Sequence, residues 1–412
     1  EPAWFQQQSD HYQDAFQGAA GKGGKQWNHT PQWEADGPDM AGAVSIDGSQ
    51  MEGGGQILRM SCAFSALFGA KIHVYNVRAQ RERPGLAAQH LASLRLVRDI
   101  VGGLLSGDAV GSTEVVLTPD QLMPGEFTVD PKTAGSITLM LQAAGIPLAF
   151  AGGMSTANLH GGTDVRGSPP YDFTERVLCP TLSTMGLDFE LQCNRRGFYP
   201  EGGGHVFLKV PPLRAPLQPI VRDQQGYPQL VSVQCHASRP ISGQEQEAIE
   251  VAVWAALEDM SPTVEVAFDP QLAPEAKGGL VRCWLDLVVE TSSYALFHGS
   301  SDVIAVPSSC WLADVFAEAV QVASEPVRKQ LASGSAVDEH LLDQLVLPMA
   351  LAAGQSRLLF AQMTSHAETA LHIAQQFLPE VQWRIVRGKG GSKKGGGGCA
   401  ILEVDGIGLQ PH

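Results

Sequence analysis

At 412 residues, with 44% hydrophobic and 17% charged side chains, the chain has globular composition and room for two or three domains or one large domain carrying an insertion. A net charge of −15 argues against a general nucleic-acid coat protein and leaves space only for a local basic site. No run of 18 apolar residues exists for a membrane span. The seven cysteines are scattered without a CxxC pair, which fits reduced thiols in a nuclear or cytoplasmic protein; without zinc-ligand spacing, no structural zinc is expected.

Residues 1–40 are polar, Gln-rich and aperiodic, and read as a disordered extension. Order is expected from "AVSIDGSQ", a strand running into a glycine loop. "EGGGQILRMSCAFSALFG" then reads as loop and helix, "KIHVYNV" as a strand, "LAAQHLASLRLVRDIVGGLL" as an amphipathic helix and "TEVVLTP" as a strand. Helices recur at 171–186 and 314–331, and "EGGG" returns at Glu201–Gly204. This alternation predicts an α/β architecture built by internal duplication, occupying 41–221 and 314–405. Between them, 222–313 carries its own strands ("PQLVSVQCHAS", "TVEVAFDP", "RCWLDLVVET") around the helix "SGQEQEAIEVAVWAALEDM", enough for a small inserted α/β domain. The Gly/Lys run at 388–398 reads as a flexible loop. It lacks the closing GK[ST] of a phosphate-binding loop.

Several segments could carry chemistry. In "SQMEGGGQILR" three glycines allow close backbone approach to a phosphate, Glu52 could hold a divalent cation through oxygen, and Arg59 follows within two helical turns; a plain tight turn fits the same residues. "VRAQRERPGLAAQH" sets Arg78 and Arg81 near a strand end, where both could clamp one anion, with Gln89 on the next helix. In "AVDEHLLDQLVLPMALA" the polar pair Asp343–Gln344 sits among leucines, which is costly unless a ligand or partner satisfies it. In "TSHAETALHIAQQFLP", Ser365 and Glu368 form a capping-box pattern that makes Ser365 the N-cap and His366 the first helical residue. There the helix end is positive, which disfavours imidazolium and attracts phosphate. A neutral imidazole in that place suits a nucleophile, though an unremarkable first-turn histidine suits the stretch as well. His372, six residues on, points about 240° away and cannot share a small pocket with it.

Taken in order, "DGSQMEGGGQILR", "VRAQRERPGLAAQHL", "HGGTDV", "FYPEGGG", "VDEHLLDQLVLPMALA" and "HAETALHIA" resemble RNA 3′-terminal phosphate cyclases from about residue 41 to 405. The resemblance implies a large domain of three repeated units, each two helices on a four-stranded sheet, with a smaller inserted α/β domain. It implies His366 as the adenylated nucleophile; Gln142, Pro169, His340, Asp343 and Gln344 around ATP; Arg59, Arg78, Arg81 and Gln89 on the phosphate and RNA-end side; and Glu52 at a divalent cation, Mg2+ or Mn2+. The implied partner is an RNA with a 3′-phosphate, whose end becomes a 2′,3′-cyclic phosphate. The family commonly places tyrosine where this chain has His340, so altered ATP affinity is expected. Two rival readings are a non-catalytic cyclase-like ribosome-assembly factor, which lacks the nucleophilic histidine, and a regulator that holds ATP without turnover.

Overall fold

The computed structural model describes residues 41–269, 273–387 and 398–411. The expected disordered extension (1–40) and residues 388–397 of the Gly/Lys run lie outside them.

The first unit runs β1 (Val44–Asp47), α1 (Gly55–Phe68), β2 (Ile72–Tyr75), α2 (Ala88–Val101), β3 (Leu104–Ser106) and β4 (Val115–Thr118). Its sheet order is β1-β2-β4-β3, with β1 and β2 parallel and the other pairs antiparallel. The same grammar returns twice. The second unit has β5 (Glu126–Val129), α3 (Ile137–Ala149) and β6 (Ser155–Gly161). A helix follows (α4) in three runs, Tyr171–Phe173, a π-type stretch Thr174–Leu178, and Cys179–Ser183; then come β7 (Glu190–Arg195) and β8 (Gly204–Val210). Its order is β5-β6-β8-β7, again with only the first pair parallel.

The third unit begins at β9 (Val221–Arg222) and is completed much later in the chain. Between its parts lie β10 (Pro228–Ala237), α5 (Gly243–Leu257), β11 (Val264–Phe268), β12 (Val281–Thr291), β13 (Leu296–Ser300), β14 (Ile304–Val306) and α6 (Leu312–Ser333). It resumes with α7 (Leu342–Leu351), β15 (Gln355–Phe360), α8 (Ser365–Phe377), β16 (Gln382–Arg387) and β17 (Ala400–Asp405). Its sheet is β9-β15-β17-β16, with β9 and β15 parallel. The fold is therefore α/β, three units of two helices on a four-stranded sheet, with a smaller α/β element interrupting the third.

Burial explains the layering. β6 and β8 alternate buried and half-buried residues strictly, as strands with one face on a core do. α1 is buried along nearly its whole length and stops at Gly69, whose φ of 62° suits glycine at a helix C-terminus. Helices and sheets of the three units share one hydrophobic core. A second core joins Val231, Val233, Cys235, Ile249, Leu285, Leu287, Phe297, Phe316, Val320 and Val327.

Three expectations are corrected. The boundary at 313/314 falls inside α6, whose apolar side (Phe316, Val320, Ala323, Val327) lies in the second core, so the helix over 314–331 belongs with the interrupting element. The second "EGGG" is no counterpart of the first. Glu52–Gly55 connects β1 to α1, whereas Glu201–Gly204 turns between β7 and β8, with Gly202 and Gly203 at φ 68° and 73°. The cap of α8 also differs. Thr364, not Ser365, is the N-cap: its hydroxyl accepts the Ala367 N–H at 3.1 Å, and Ser365 is already helical. Two hydroxyl residues stand side by side there, and the one whose backbone stays extended takes the cap.

All seven cysteines are free. No helix among the described residues is long and apolar enough to cross a membrane.

Candidate active site

The glycine run explains itself by what surrounds it. Gly53 adopts φ 60°, a conformation that side chains disfavour. A Cβ on Gly54 would stand 2.4 Å from the Glu52 carboxylate, and one on Gly55 would stand 2.7 Å from both the Arg59 guanidinium and His90 Nε2. At Gly54 and Gly55 the loop is bare because the side chains of Glu52, Arg59 and His90 close over it.

Glu52 is held from two sides. Its N–H donates to Thr369 Oγ1 of α8 at 3.3 Å, and Arg81 donates to its carbonyl oxygen at 2.9 Å and pairs with its carboxylate. Glu52 Oε2 is buried without a hydrogen-bond partner, 3.7 Å from His366 Nδ1. The His366 ring, in the first turn of α8, is half exposed (51%) and so open to a ligand. Arg78 donates to the Gly85 carbonyl at 2.8 Å; burial and the neighbouring charge of Arg81 lower its pKa, and an anion bound between the two would offset the repulsion.

Behind this edge runs a chain of side chains along α1. Gln56 Nε2 donates to Asp343 Oδ2 (3.1 Å), Arg59 Nη2 to Gln56 Oε1 (2.7 Å), and Arg59 Nε to Gln142 Oε1 (2.8 Å). Burial lowers Arg59 to about 10, with Asp343 and Glu52 opposing the shift, so the guanidinium stays charged near neutrality. Burial raises Asp343, while His366, Arg59 and His340 pull it back. Asp343 thus feels the charge of the nucleophile candidate, the buried arginine and His340, and it reaches Arg59 through Gln56. Beside it, Gln344 donates to the His340 carbonyl at 2.7 Å, and the His340 ring, 67% exposed, stands edge-on to Phe173 at 6.4 Å. Pro169 accepts from Thr138 Oγ1 at 2.7 Å, one turn from Gln142 on α3.

Sequence reading chose Gln89 and passed over its neighbour. Gln89 Cβ lies against Gly135, whereas His90 turns toward Gly55 and Arg59. The signal was available: His90, Leu94, Val97 and Val101 form one buried helical stripe, and a histidine on such a stripe needs a partner. His90 Nδ1 accepts the Ala87 N–H at 3.1 Å, which leaves the proton on Nε2, facing the site. His372 is set apart, bonded to Gln50 Oε1 at 3.0 Å and to Gln376. A separate cleft of about 310 Å3, lined by residues including Arg176, Arg222, Ser232 and Glu290, contains none of these residues.

His90 carries a pH signature. Burial, helped by the charges of Arg59 and Arg78, lowers it to about 3 from its ordinary 6.5. Between those values the unfolded chain binds a proton that the folded chain refuses, so stability falls as pH falls below 6.5. At about 1.4 kcal/mol per pH unit, this costs about 2 kcal/mol between pH 7 and 5. Urea unfolding at the two pH values should show the His90→Gln variant losing about 2 kcal/mol less than the parent. An equal loss in both proteins would refute the assignment.

Residues 50–384 match the family model for RNA 3′-terminal phosphate cyclase. The RNA 3′-terminal phosphate cyclase of Staphylothermus marinus is 35% identical over 378 residues, covering 89% of this chain and 99% of its own. That of Hyperthermus butylicus is 36% identical over 354 residues, covering 84% and 94%. That of Nitrosospira multiformis is 36% identical over 339 residues, covering 81% and 91%. On these matches the chain belongs to the RNA 3′-terminal phosphate cyclase family.

Proposed function

We propose that this protein converts the 3′-terminal phosphate of RNA to a 2′,3′-cyclic phosphodiester at the expense of ATP, with His366 as the nucleophile. The observation that carries the reading is the half-exposed His366 ring at the start of α8, its Nδ1 3.7 Å from a buried, unpartnered oxygen of Glu52 and beside an arginine-lined edge. With Nδ1 turned toward the carboxylate, Nε2 is the nitrogen left for phosphorus.

In the first step a P–N bond forms between His366 and the α-phosphorus of ATP, and the bond to pyrophosphate breaks, the leaving group carrying the electron pair. Arg59, Arg78 and Arg81 offset the charge on the phosphates, and Gln89 is assigned to the RNA-end side. The adenosine end is assigned to Gln142, Pro169, His340, Asp343 and Gln344. Next an oxygen of the RNA 3′-phosphate displaces His366 from the adenylate. Last, the vicinal 2′-OH attacks the activated RNA phosphorus, its proton passing to solvent, and the P–O bond to AMP breaks with AMP keeping the electron pair. Nucleophile and electrophile share one ribose, so this step rests largely on proximity. The terminal phosphate is a sequence-blind handle, which suits an acidic chain with one local arginine cluster.

A divalent cation, Mg2+ or Mn2+, fits Glu52, because a buried carboxylate oxygen without a hydrogen-bond partner suits a hard cation. When bound it supplies positive charge beside the triphosphate. The non-catalytic reading is disfavoured because His366 is present and accessible.

The test is a 3′-phosphorylated oligoribonucleotide incubated with ATP. The expected product has an end resistant to phosphatase and releases AMP; a fully phosphatase-sensitive end after incubation would reject the reading. A second expectation concerns the departure at His340. The His340→Tyr variant should keep adenylation and bind ATP equally well or up to roughly tenfold more tightly, because a larger ring adds stacking area. Titration calorimetry would measure it, and a large loss of labelling would give His340 a different role.

A further inference from the structure

A second gathering of charged side chains lies between the two cores, sharing no residue with the candidate active site. One face of β12 (Cys283, Leu285, Leu287, Val289) belongs to the second core, and Trp284 and Asp286 project from the other. There Asp286 meets His236 of β10 and Asp172 of α4; the three are 0%, 1% and 0% exposed. His236 Nε2 lies 3.3 Å from Asp286 Oδ2 and 3.7 Å from Asp172 Oδ1. Yet neither His236 Nε2 nor Asp286 Oδ2 has a hydrogen-bond partner, an unusual state for fully buried polar atoms.

Every other polar atom of the three is committed. His236 Nδ1 is 2.7 Å from Asp269 Oδ2, Asp286 Oδ1 is 2.9 Å from His298 Nε2, and Arg196 donates to both Asp172 oxygens at 2.6 and 2.8 Å. The His236 ring also lies flat on Trp284, at 4.4 Å and 2°. Groups behind each donor thus fix its direction, as they do behind metal ligands, and the Asp269 contact at Nδ1 turns Nε2 toward Asp286 and Asp172. Four carboxylates (Asp164, Asp172, Asp269, Asp286) share one guanidinium and two imidazoles within 4 Å contacts, so acidic groups outnumber all the basic ones and the cluster is short of positive charge.

We propose that Asp172, His236 and Asp286 form a buried site for a divalent transition ion such as Zn2+, tying the second core to the first. One imidazole nitrogen and two carboxylates are donors that Zn2+ accepts, and full enclosure suits a structural site better than a catalytic one. Cysteine spacing is silent about such a site because no cysteine takes part.

The test uses the whole chain, produced with added zinc and exchanged into metal-free buffer, with bound metal measured by plasma mass spectrometry. About one zinc per chain is expected, retained in Glu52→Ala and reduced at least roughly tenfold in His236→Gln and Asp286→Asn. Reloading the parent with Co2+ should give a ligand-field spectrum without a thiolate charge-transfer band, a readout that stands even if the variants fold poorly. Metal below about a tenth of an equivalent in the parent, a thiolate band, or an ion lost with Glu52→Ala and kept in His236→Gln would each overturn the proposal.

Discussion

Replacing His366 with Ala should abolish transfer of label from α-labelled ATP to the protein. Without the imidazole no P–N bond can form, and the neighbouring groups only bind and offset charge. Loss of a nucleophile costs far more than loss of a binding contact, so labelling should fall by roughly a thousandfold or more. The readout is covalent radiolabel after denaturing electrophoresis. His372→Ala is the matched control, since that ring bonds to Gln50 and Gln376 on another side of α8 and should leave labelling intact. Label retained by the His366 variant, or lost equally in the control, would remove His366 from the reaction.

A second large effect is expected far from the chemistry. Arg196 is 2% exposed and grips Asp172, which is fully buried, with two hydrogen bonds. Asp164 and Asp269 stand 3.6 and 3.7 Å from the same guanidinium. The Arg196→Leu variant leaves a buried carboxylate uncompensated, and breaking one partner of such a pair costs about 3–5 kcal/mol. The Lys132–Asp130 pair offers the contrast: Lys132 is 83% exposed, and Lys132→Ala should change stability by less than about 1 kcal/mol. Urea unfolding of both variants in chelator-treated buffer measures the difference. Equal midpoint shifts would mean that the Arg196 network is solvated in a way its burial denies.

Much of the site was legible as local pattern. The three glycines after Glu52, the pair Arg78–Arg81, the polar step Asp343–Gln344 inside an apolar helix and a histidine at a helix start each break a local rule. Such breaks mark places where something other than folding set the residue. The structure gathers them: Glu52 beside His366 and Arg81, and Asp343 joined through Gln56 to Arg59 and Gln142. His90 escaped because a histidine on a buried stripe looks like core until Arg59 and Gly55 are seen beside it. The Thr364 cap escaped because a capping hydroxyl is chosen by backbone conformation, and Thr364 and Ser365 offer the same chemistry one residue apart.

By itself, then, the chain's order of residues determines its helices and strands, the recurrence of an α/β unit, and which side chains are chemically suited to bind phosphate or attack it. These follow from periodicity, capping and charge, all read within a few residues. Only the tertiary structure decides which sheet each strand joins, that α6 serves the second core, that the two "EGGG" loops do different work, and that Asp172, Arg196, His236, Asp286 and His298 share one buried space. The reason is physical: a charge tolerates burial only through partners, and these partners come from strands and helices far apart along the chain.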